Sequence, residues 1–525
     1  MPKIVSAAEA VKVIRDGATV TVNSSLVRCC PDVVMKAVGE RFDHEAHPRG
    51  LTMLHPIAAG DMYGVKGIDH IAKPGMISRI IAGSYPSGPS STEPPLIWQM
   101  IGRNEIAAYN VPSGILFDMH REAAAKRPGV LTKIGLDTFV DPARQGCAMN
   151  ARAAAAPIVR KTDFDGEEWL YFPAIKPDVA IVRATSSDER GNLTFEQEGA
   201  YLGALDLAMA AHNTGGIVIA QVKRIVENET LKPHDVRIPG ILIDYIVEAP
   251  DQWQTTQTPY DSAISGEVFK PLSSFALMDW GVGKMIARRT AQELKSGWAV
   301  NLGFGVSANV PRILIEEGLH GQVTWVIEQG AVGGVPLLDF QFGCSSNAEA
   351  IVPSSYQFTY FQAGGFDCSL LSFLQIDAEG SVNVSKLGAR PHVTAGAGGF
   401  VDITARARKI VYSGFFNAGA RMDLASGKLR IEKDGKVKKL VPLVEHVTFS
   451  GRRGVMQGQD VTYITERCVM KLTPEGIVVT EIAPGVDFDA DIQGQSEFPL
   501  KLAPGTKTMD AALFQPEPMG LQLHA

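Results

Sequence analysis

Glu328 stands at the end of an apolar, β-branched run, Thr324-Trp325-Val326-Ile327, with Gln329-Gly330-Ala331-Val332-Gly333-Gly334 directly behind it. The run reads as a strand, and the glycines that follow break it into a loop. In an open α/β sheet, ligands bind at the carboxyl ends of strands, which is where this carboxylate would sit. Glycines let ligand atoms approach the backbone and leave N–H groups free for an oxyanion. A carboxylate beside such donors is a candidate covalent nucleophile; the alternative is an ordinary solvated strand-end glutamate.

Three further glycine-rich segments lie in the same half of the chain. Leu302-Gly303-Phe304-Gly305-Val306-Ser307-Ala308 has the form of a strand, a turn and a helix start. Such a turn either offers backbone N–H groups to phosphates or is a plain βα turn, and the third glycine of a dinucleotide fingerprint is missing. Ala363-Gly364-Gly365-Phe366-Asp367 and Thr394-Ala395-Gly396-Ala397-Gly398-Gly399-Phe400-Val401-Asp402 are the others. Ser24-Ser25 lacks the Gly-x-Ser-x-Gly elbow of a serine hydrolase. No Gly-Lys-Ser/Thr loop points to ATP hydrolysis, and the histidines have no metal-ligand spacing, so no metal site is expected.

The elements that must position Glu328 occur twice. Ser6-Ala7-Ala8-Glu9 is a capping box opening a helix that ends before Gly17, and Ala18-Thr19-Val20-Thr21-Val22 reads as a strand. A similar helix and the strand Trp298-Ala299-Val300-Asn301-Leu302 flank Gly297; from Gly17 to Gly297, as from Pro31 to Pro311, the offset is 280 residues. Asp178–Val182 with Asp188 and Gly191 matches Asp367–Leu371 with Asp377 and Gly380 at an offset of 189. A duplicated domain follows, with insertions in the first copy, one of them at about 42–161. The expected division is residues 1–250, a Pro/Gln/Thr-rich linker at 251–275, and residues 276–525. Alternating strand and helix patterns predict two related open α/β domains with largely parallel sheets and a cleft between them that holds the site. Leu51-Thr52-Met53-Leu54 resembles Val323-Thr324-Trp325-Val326, but His55-Pro56 follows it, so only the second half carries an acid.

Composition limits the partners. The 525 residues are 45% hydrophobic and 20% charged, with a formal net charge of −7, so nothing favours nucleic acid or an anionic membrane surface. No apolar run is long enough for a bilayer span, and no signal pattern opens the chain, so a soluble cytoplasmic protein is expected. Cys29, Cys30, Cys147, Cys344, Cys368 and Cys468 form no disulfide or zinc pattern and read as buried thiols.

Glu328-Gln329-Gly330-Ala331-Val332-Gly333-Gly334 resembles the Glu-x-Gly-x-x-Gly-Gly segment of class I coenzyme A transferases, especially the fused-chain acetate/propionate and acyl-CoA:3-ketoacid branch. The resemblance extends through Tyr109-Asn110-Val111-Pro112-Ser113-Gly114, Lys133-Ile134-Gly135-Leu136-Asp137-Thr138-Phe139-Val140-Asp141-Pro142, Ala211–Gly216, Gly396–Asp402, Tyr463–Arg467 and Ile482–Asp487. It implies ping-pong transfer of CoA from a short-chain acyl-CoA to a carboxylate, through a glutamyl-CoA thioester on Glu328. CoA and acyl-CoA enter as substrates, no cofactor is tightly bound, and a homo-dimer or homo-tetramer is implied.

The resemblance further implies that Gly303, Gly305, Val306, Ser307 and Ala308 contact CoA. Gly396, Gly398 and Gly399 would line CoA or the oxyanion site, with Asn383 beside them. Departures fall at Asn23-Ser24-Ser25-Leu26-Val27-Arg28-Cys29-Cys30, where relatives carry several glycines, and at Gln329 and Ala331. Asn23, Ser24, Arg28, Gln329 and Ala331 are therefore the acyl-pocket candidates. Arg28 either pairs with a carboxylate of a dicarboxylic substrate or makes a surface salt bridge. Rival functions are an acyl-CoA hydrolase using the same glutamate, a phosphosugar isomerase, and a non-catalytic acyl-CoA-binding protein.

Overall fold

The computed structural model describes residues 1–524 except 88–92, 389–391 and 393. Two ten-stranded sheets carry the α/β fold. In the first, eight strands run parallel in the order Lys3–Ile4, Tyr245–Glu248, Ile217–Val226, Val179–Asp188, Thr19–Val22, Leu51–His55, Ile77–Ala82, Ala107–Asn110, and Leu193–Thr194 joins Val179–Asp188 and Val236–Ile238 antiparallel off this path. In the second, Thr324–Val326, Ala299–Leu302, Cys368–Leu371, Lys409–Ser413 and Asp460–Ile464 are parallel neighbours, extended by antiparallel strands at both edges. All ten residues of Val179–Asp188 are buried, as expected of a parallel strand covered on both faces.

The internal repeat appears as register. Val20 faces Val179 in the first sheet, and Val300 faces Cys368 in the second. Thr19 faces Thr52, and Ala299 faces Thr324. Even single hydrogen bonds recur. Thr19 N–H donates to Asp178 Oδ2 (2.8 Å) and Ala299 N–H to Asp367 Oδ2 (2.9 Å). Asp188 and Asp377 each close the next turn by accepting from the backbone two and four residues on.

The extra material of the first half starts later than residue 42, because Leu51–His55 is the counterpart of Thr324–Val326. What the first half adds is a pair of parallel strands, Ile77–Ala82 and Ala107–Asn110, and a three-stranded sheet of Gly129–Thr132, Arg160–Phe164 and Glu167–Pro173. Part of the irregular 85–95 stretch, residues 88–92, lies outside the described residues.

The 251–275 segment is irregular but held at both ends. Gln254 Nε2 donates to Gln197 O (2.8 Å), and Lys270 N–H to Asn347 Oδ1 (2.8 Å). All six cysteines are buried and unpaired. No helix among the described residues is long and apolar enough to cross a membrane.

Candidate active site between the two sheets

The carboxyl ends of the central strands of both sheets open into one cavity of about 400 Å³. From the first half, Ser25, Leu26 and Arg28 follow Thr19–Val22, Ile57 follows Leu51–His55, and Ser84 and Ser87 follow Ile77–Ala82. From the second, Gly303 and Phe304 follow Ala299–Leu302, Glu328 and Gln329 follow Thr324–Val326, and Ser372 follows Cys368–Leu371. The glycine loop at 394–399 closes the remaining wall. Phe304, 55% exposed, lies against Phe342 with ring centroids 3.9 Å apart at the cavity rim.

Glu328 leaves its strand through a tight turn in which Gly330 N–H donates to Ile327 O and Ile327 N–H to Ala331 O, both at 2.9 Å. A side chain at Gly330 would meet Val352 O at 1.9 Å, at a backbone φ of +115°. This glycine serves chain crowding, and Gly333 N–H is likewise spent on Trp325 O (2.7 Å). The expectation that the glycines behind Glu328 supply oxyanion donors is therefore corrected for Gly330 and Gly333, whose N–H groups are consumed by the turn that aims the carboxylate.

The donors come from elsewhere. Gln329 Nε2 donates to Glu328 Oε1 (2.9 Å), and the Gly399 N–H faces the same carboxylate. Burial raises the Glu328 pKa from its ordinary 4.5 to about 7, while Gln329, Arg28 and Gly399 pull against that rise. Glu328 retains partial exposure, so burial comes from the cavity walls and the carboxyl group is still reachable from the cavity.

The loop that carries Gly399 is bonded to the opposite half. Tyr85 N–H donates to Ala395 O (2.7 Å), Gly398 N–H to Gly83 O (2.8 Å) and Ser113 N–H to Gly398 O (2.9 Å). Ala397 N–H donates to the Asn110 side-chain oxygen (2.8 Å), and Asn110 Nδ2 holds Gly83 O (2.6 Å). One helical turn further on, Asp402 accepts from Gly114 N–H (3.0 Å) and Gln362 Nε2 (3.0 Å). Burial lifts Asp402 to about 7 as well. The first half, which lacks an acid of its own at this position, thus fixes the donor that the second half's acid uses.

The sequence and fold have known counterparts. The chain is 40% identical to caffeate CoA-transferase of Acetobacterium woodii, over 99% of both chains. It is 36% identical to the acetate CoA-transferase YdiF of Escherichia coli K12, over 99% of this chain and 96% of that one. The coenzyme A transferase family model matches residues 4–249. This chain belongs to the coenzyme A transferase family. It is an enzyme that transfers CoA. The acyl-CoA transferase YdiF of E. coli O157:H7 superposes with a TM-score of 0.92 as the apoenzyme and 0.90 as a thioester complex with CoA. Both share 35% identity with this chain and cover 100% of it and 98% of their own length.

In this CoA-transferase the cavity brings together Glu328, Gln329, Arg28, Gly303, Gly396, Gly398 and Gly399. Other candidates lie outside its lining. Asn23 and Ser24 are buried and spend their side chains on the backbone: Asn23 Oδ1 accepts from Gly203 N–H (3.1 Å), and Ser24 Oγ donates to Leu26 O (3.0 Å). Ala331 sits in the strand Ala331–Val332, facing Ile351. Gly305, Val306, Ser307 and Ala308 are not among the lining residues; Gly305 lies next to the cavity wall at Ser372, and Ser307 and Ala308 are buried. Asn383 donates to Gln375 Oε1 and to Lys386 O, both at 2.8 Å, so its side chain braces its own hairpin.

Sequence reasoning placed Ser25 in the turn near the acyl pocket without choosing it, and missed Ser84, Phe342 and Ser372. Of these, Ser372 was within reach, since it directly follows the strand that matches Asp178–Val182.

Proposed function

We propose that this CoA-transferase works by ping-pong transfer through Glu328, taking CoA from a short-chain acyl-CoA to an acceptor carboxylate such as acetate, propionate or a 3-keto acid. One observation carries the reading: among the described residues that line the cavity, Glu328 is the only carboxylate, and it meets the Gln329 amide and the Gly399 N–H. The relatives named for acetate and caffeate agree with a carboxylate as the acceptor.

The ionised Glu328 oxygen attacks the thioester carbonyl; its C–O bond forms, the C–S bond breaks and CoA thiolate leaves. The thiolate then attacks the glutamyl carbonyl of the mixed anhydride, forming the glutamyl thioester and releasing the first carboxylate. An acceptor carboxylate enters and the two steps run backward. Each step passes through a tetrahedral oxyanion, and the Gly399 N–H, which meets the Glu328 carboxylate, is the donor we assign to it. The acyl activation is conserved throughout, so no nucleotide is consumed.

The reading is tested by incubating the enzyme with propionyl-CoA, reducing with borohydride and mapping the product by mass spectrometry. Reduction is expected at Glu328; modification at another residue, or none, sinks the mechanism. Adding acetate should convert propionyl-CoA to acetyl-CoA, whereas a hydrolase would release free CoA.

The pKa of Glu328 sets a second expectation. Only the carboxylate is nucleophilic, and kcat/KM for the acyl-CoA reports the free enzyme, so this parameter should rise with pH through a midpoint of about 7. A profile that is flat between pH 5 and 8 would contradict the buried carboxyl.

A further inference from the structure

We propose that Asp402 is a positioning residue for acyl transfer: by capping a helix of the opposite half, it holds the Gly399 N–H against the Glu328 carboxyl group. The inference rests on Glu328 as the acylated residue and adds the part that keeps its donor in place.

The helix Ser113–Ala124 begins without a cap of its own, because Pro112 stands at the N-cap and has no side-chain acceptor. The first N–H groups of a helix find no partner inside it. Here the second half of the chain supplies acceptors for two of them. Ser113 N–H donates to Gly398 O (2.9 Å) and Gly114 N–H to Asp402 Oδ2 (3.0 Å), so the two bonds bracket Gly399. A carboxylate suits that end, which carries the positive pole of the helix. Its other oxygen, Oδ1, accepts from Gln362 Nε2 (3.0 Å). Asp402 is 0% exposed, and these bonds replace the water it gave up.

Gly114 belongs to the same arrangement. Glycine inside a helix costs about 1 kcal/mol against alanine. A methyl group here would lie 2.5 Å from Asp402 Oδ1 and 2.7 Å from Gln362 Nε2. The segment Asn110-Val111-Pro112-Ser113-Gly114 thus ends in glycine to admit a carboxylate from the other half.

Asp402 acts through Gly399. Gly399 is the N-cap of the short helix Phe400–Thr404 that carries Asp402, and Ile403 N–H donates to Gly399 O (2.9 Å). Asp402 cannot shift without turning that helix, and the Gly399 N–H turns with it. The charged neighbours of Asp402 are Asp118, which shares Gln362 Nε2 (3.2 Å) and pairs with Arg121, and Glu328 beyond Gly399. Like charges oppose each other's ionisation, so Glu328 and Asp402 titrate as a coupled pair.

The test measures kcat and KM for propionyl-CoA, with acetate as acceptor, from pH 5 to 9 in wild type, Asp402→Asn and Gly114→Ala. In both variants kcat should fall by about 10- to 100-fold, the scale of a misplaced catalytic group. KM should stay within about twofold, because the lost contact acts in the transition state. In Asp402→Asn the rise of kcat/KM with pH should also narrow to a single-proton step with a lower midpoint, since one of two coupled charges is gone. Gly114→Ala keeps Asp402 and should keep the stretched rise. A kcat within about threefold of wild type in a folded variant overturns the proposal, as does a loss confined to KM or an Asp402→Asn profile identical to that of wild type. Should Asp402→Asn fail to fold, Gly114→Ala decides, because alanine favours the helix it enters. Borohydride labelling of wild type with propionyl-CoA separates the two readings. Label on Glu328 with kcat unchanged in the variants removes the role of Asp402 alone, and no label on Glu328 removes both.

Discussion

Glu328→Gln loses acyl transfer by at least about 10⁴-fold and keeps the fold. The substitution preserves volume and the capacity to accept from Gln329 Nε2 and Gly399 N–H, but an amide oxygen cannot carry the acyl group. Loss on this scale is expected because no second carboxylate lines the cavity among the described residues. Steady-state transfer and borohydride labelling measure it; a variant with a tenth of wild-type activity would refute the assignment.

The same variant has a stability signature. Folding raises the Glu328 pKa from 4.5 to about 7. Between these values the native state holds more protons than the unfolded chain, so this group makes the wild type lose stability as pH rises through that window. Glutamine removes the loss. The variant should match wild type below about pH 4.5 and exceed it at pH 8 by on the order of 1 kcal/mol, a figure kept small because the carboxyl group still faces the cavity. Denaturant melts at the two pH values check the sign.

Gly399→Ala lowers kcat/KM by about 10²- to 10³-fold, the scale of losing one oxyanion donor. Its added methyl would sit 2.5 Å from Glu328 Oε2 and 2.4 Å from Phe358 Cε1. Phe358 is buried and packed near Phe117 of the first half, with ring centroids 5.8 Å apart, so the carboxylate is the group that yields. The backbone there, at φ −89°, accepts alanine without strain, which confines the damage to the site. Stability should fall by about 1–3 kcal/mol from overpacking. The decisive measurement is the double variant with Glu328→Gln, which should be no less active than Glu328→Gln alone, because both act on one step. Activity of Gly399→Ala within fivefold of wild type would show that the carboxylate makes room for the methyl without leaving its working position.

The position of Glu328 at a strand end was legible locally, because a β-branched run followed by glycine marks the end of a strand. Its role was not, since a solvated strand-end glutamate has the same local sequence and only the family resemblance separated the two. The duplication was legible too, because Asp178 and Asp367 perform the same backbone contact and so leave the same spacing. What could not be read was which glycines face ligand. Gly330 and Gly399 look alike in sequence; the first answers to Val352 O, the second to Glu328 itself. That difference arises from contacts across the fold, such as Asn110 to Ala397 over 287 positions, which no sequence window contains. Asn23 and Ser24 misled for a related reason, since small polar side chains after a strand either meet substrate or close on their own backbone.

The attachment of the 395–398 segment to Gly83, Tyr85, Asn110 and Ser113 constrains how such a chain can evolve. A second half exchanged for that of a distant relative would bring its own glutamate and glycine loop. The loop would then dock on a foreign surface, and the distance from glutamate to donor would be set by a mismatch neither parent had met. Recombination within 251–275 looks harmless by length and composition, yet it would cut through the geometry of a single bond-making centre. The two halves meet as one unit at this site, and substitutions at Asn110 or Gly83 must be accommodated by the opposite half of the chain.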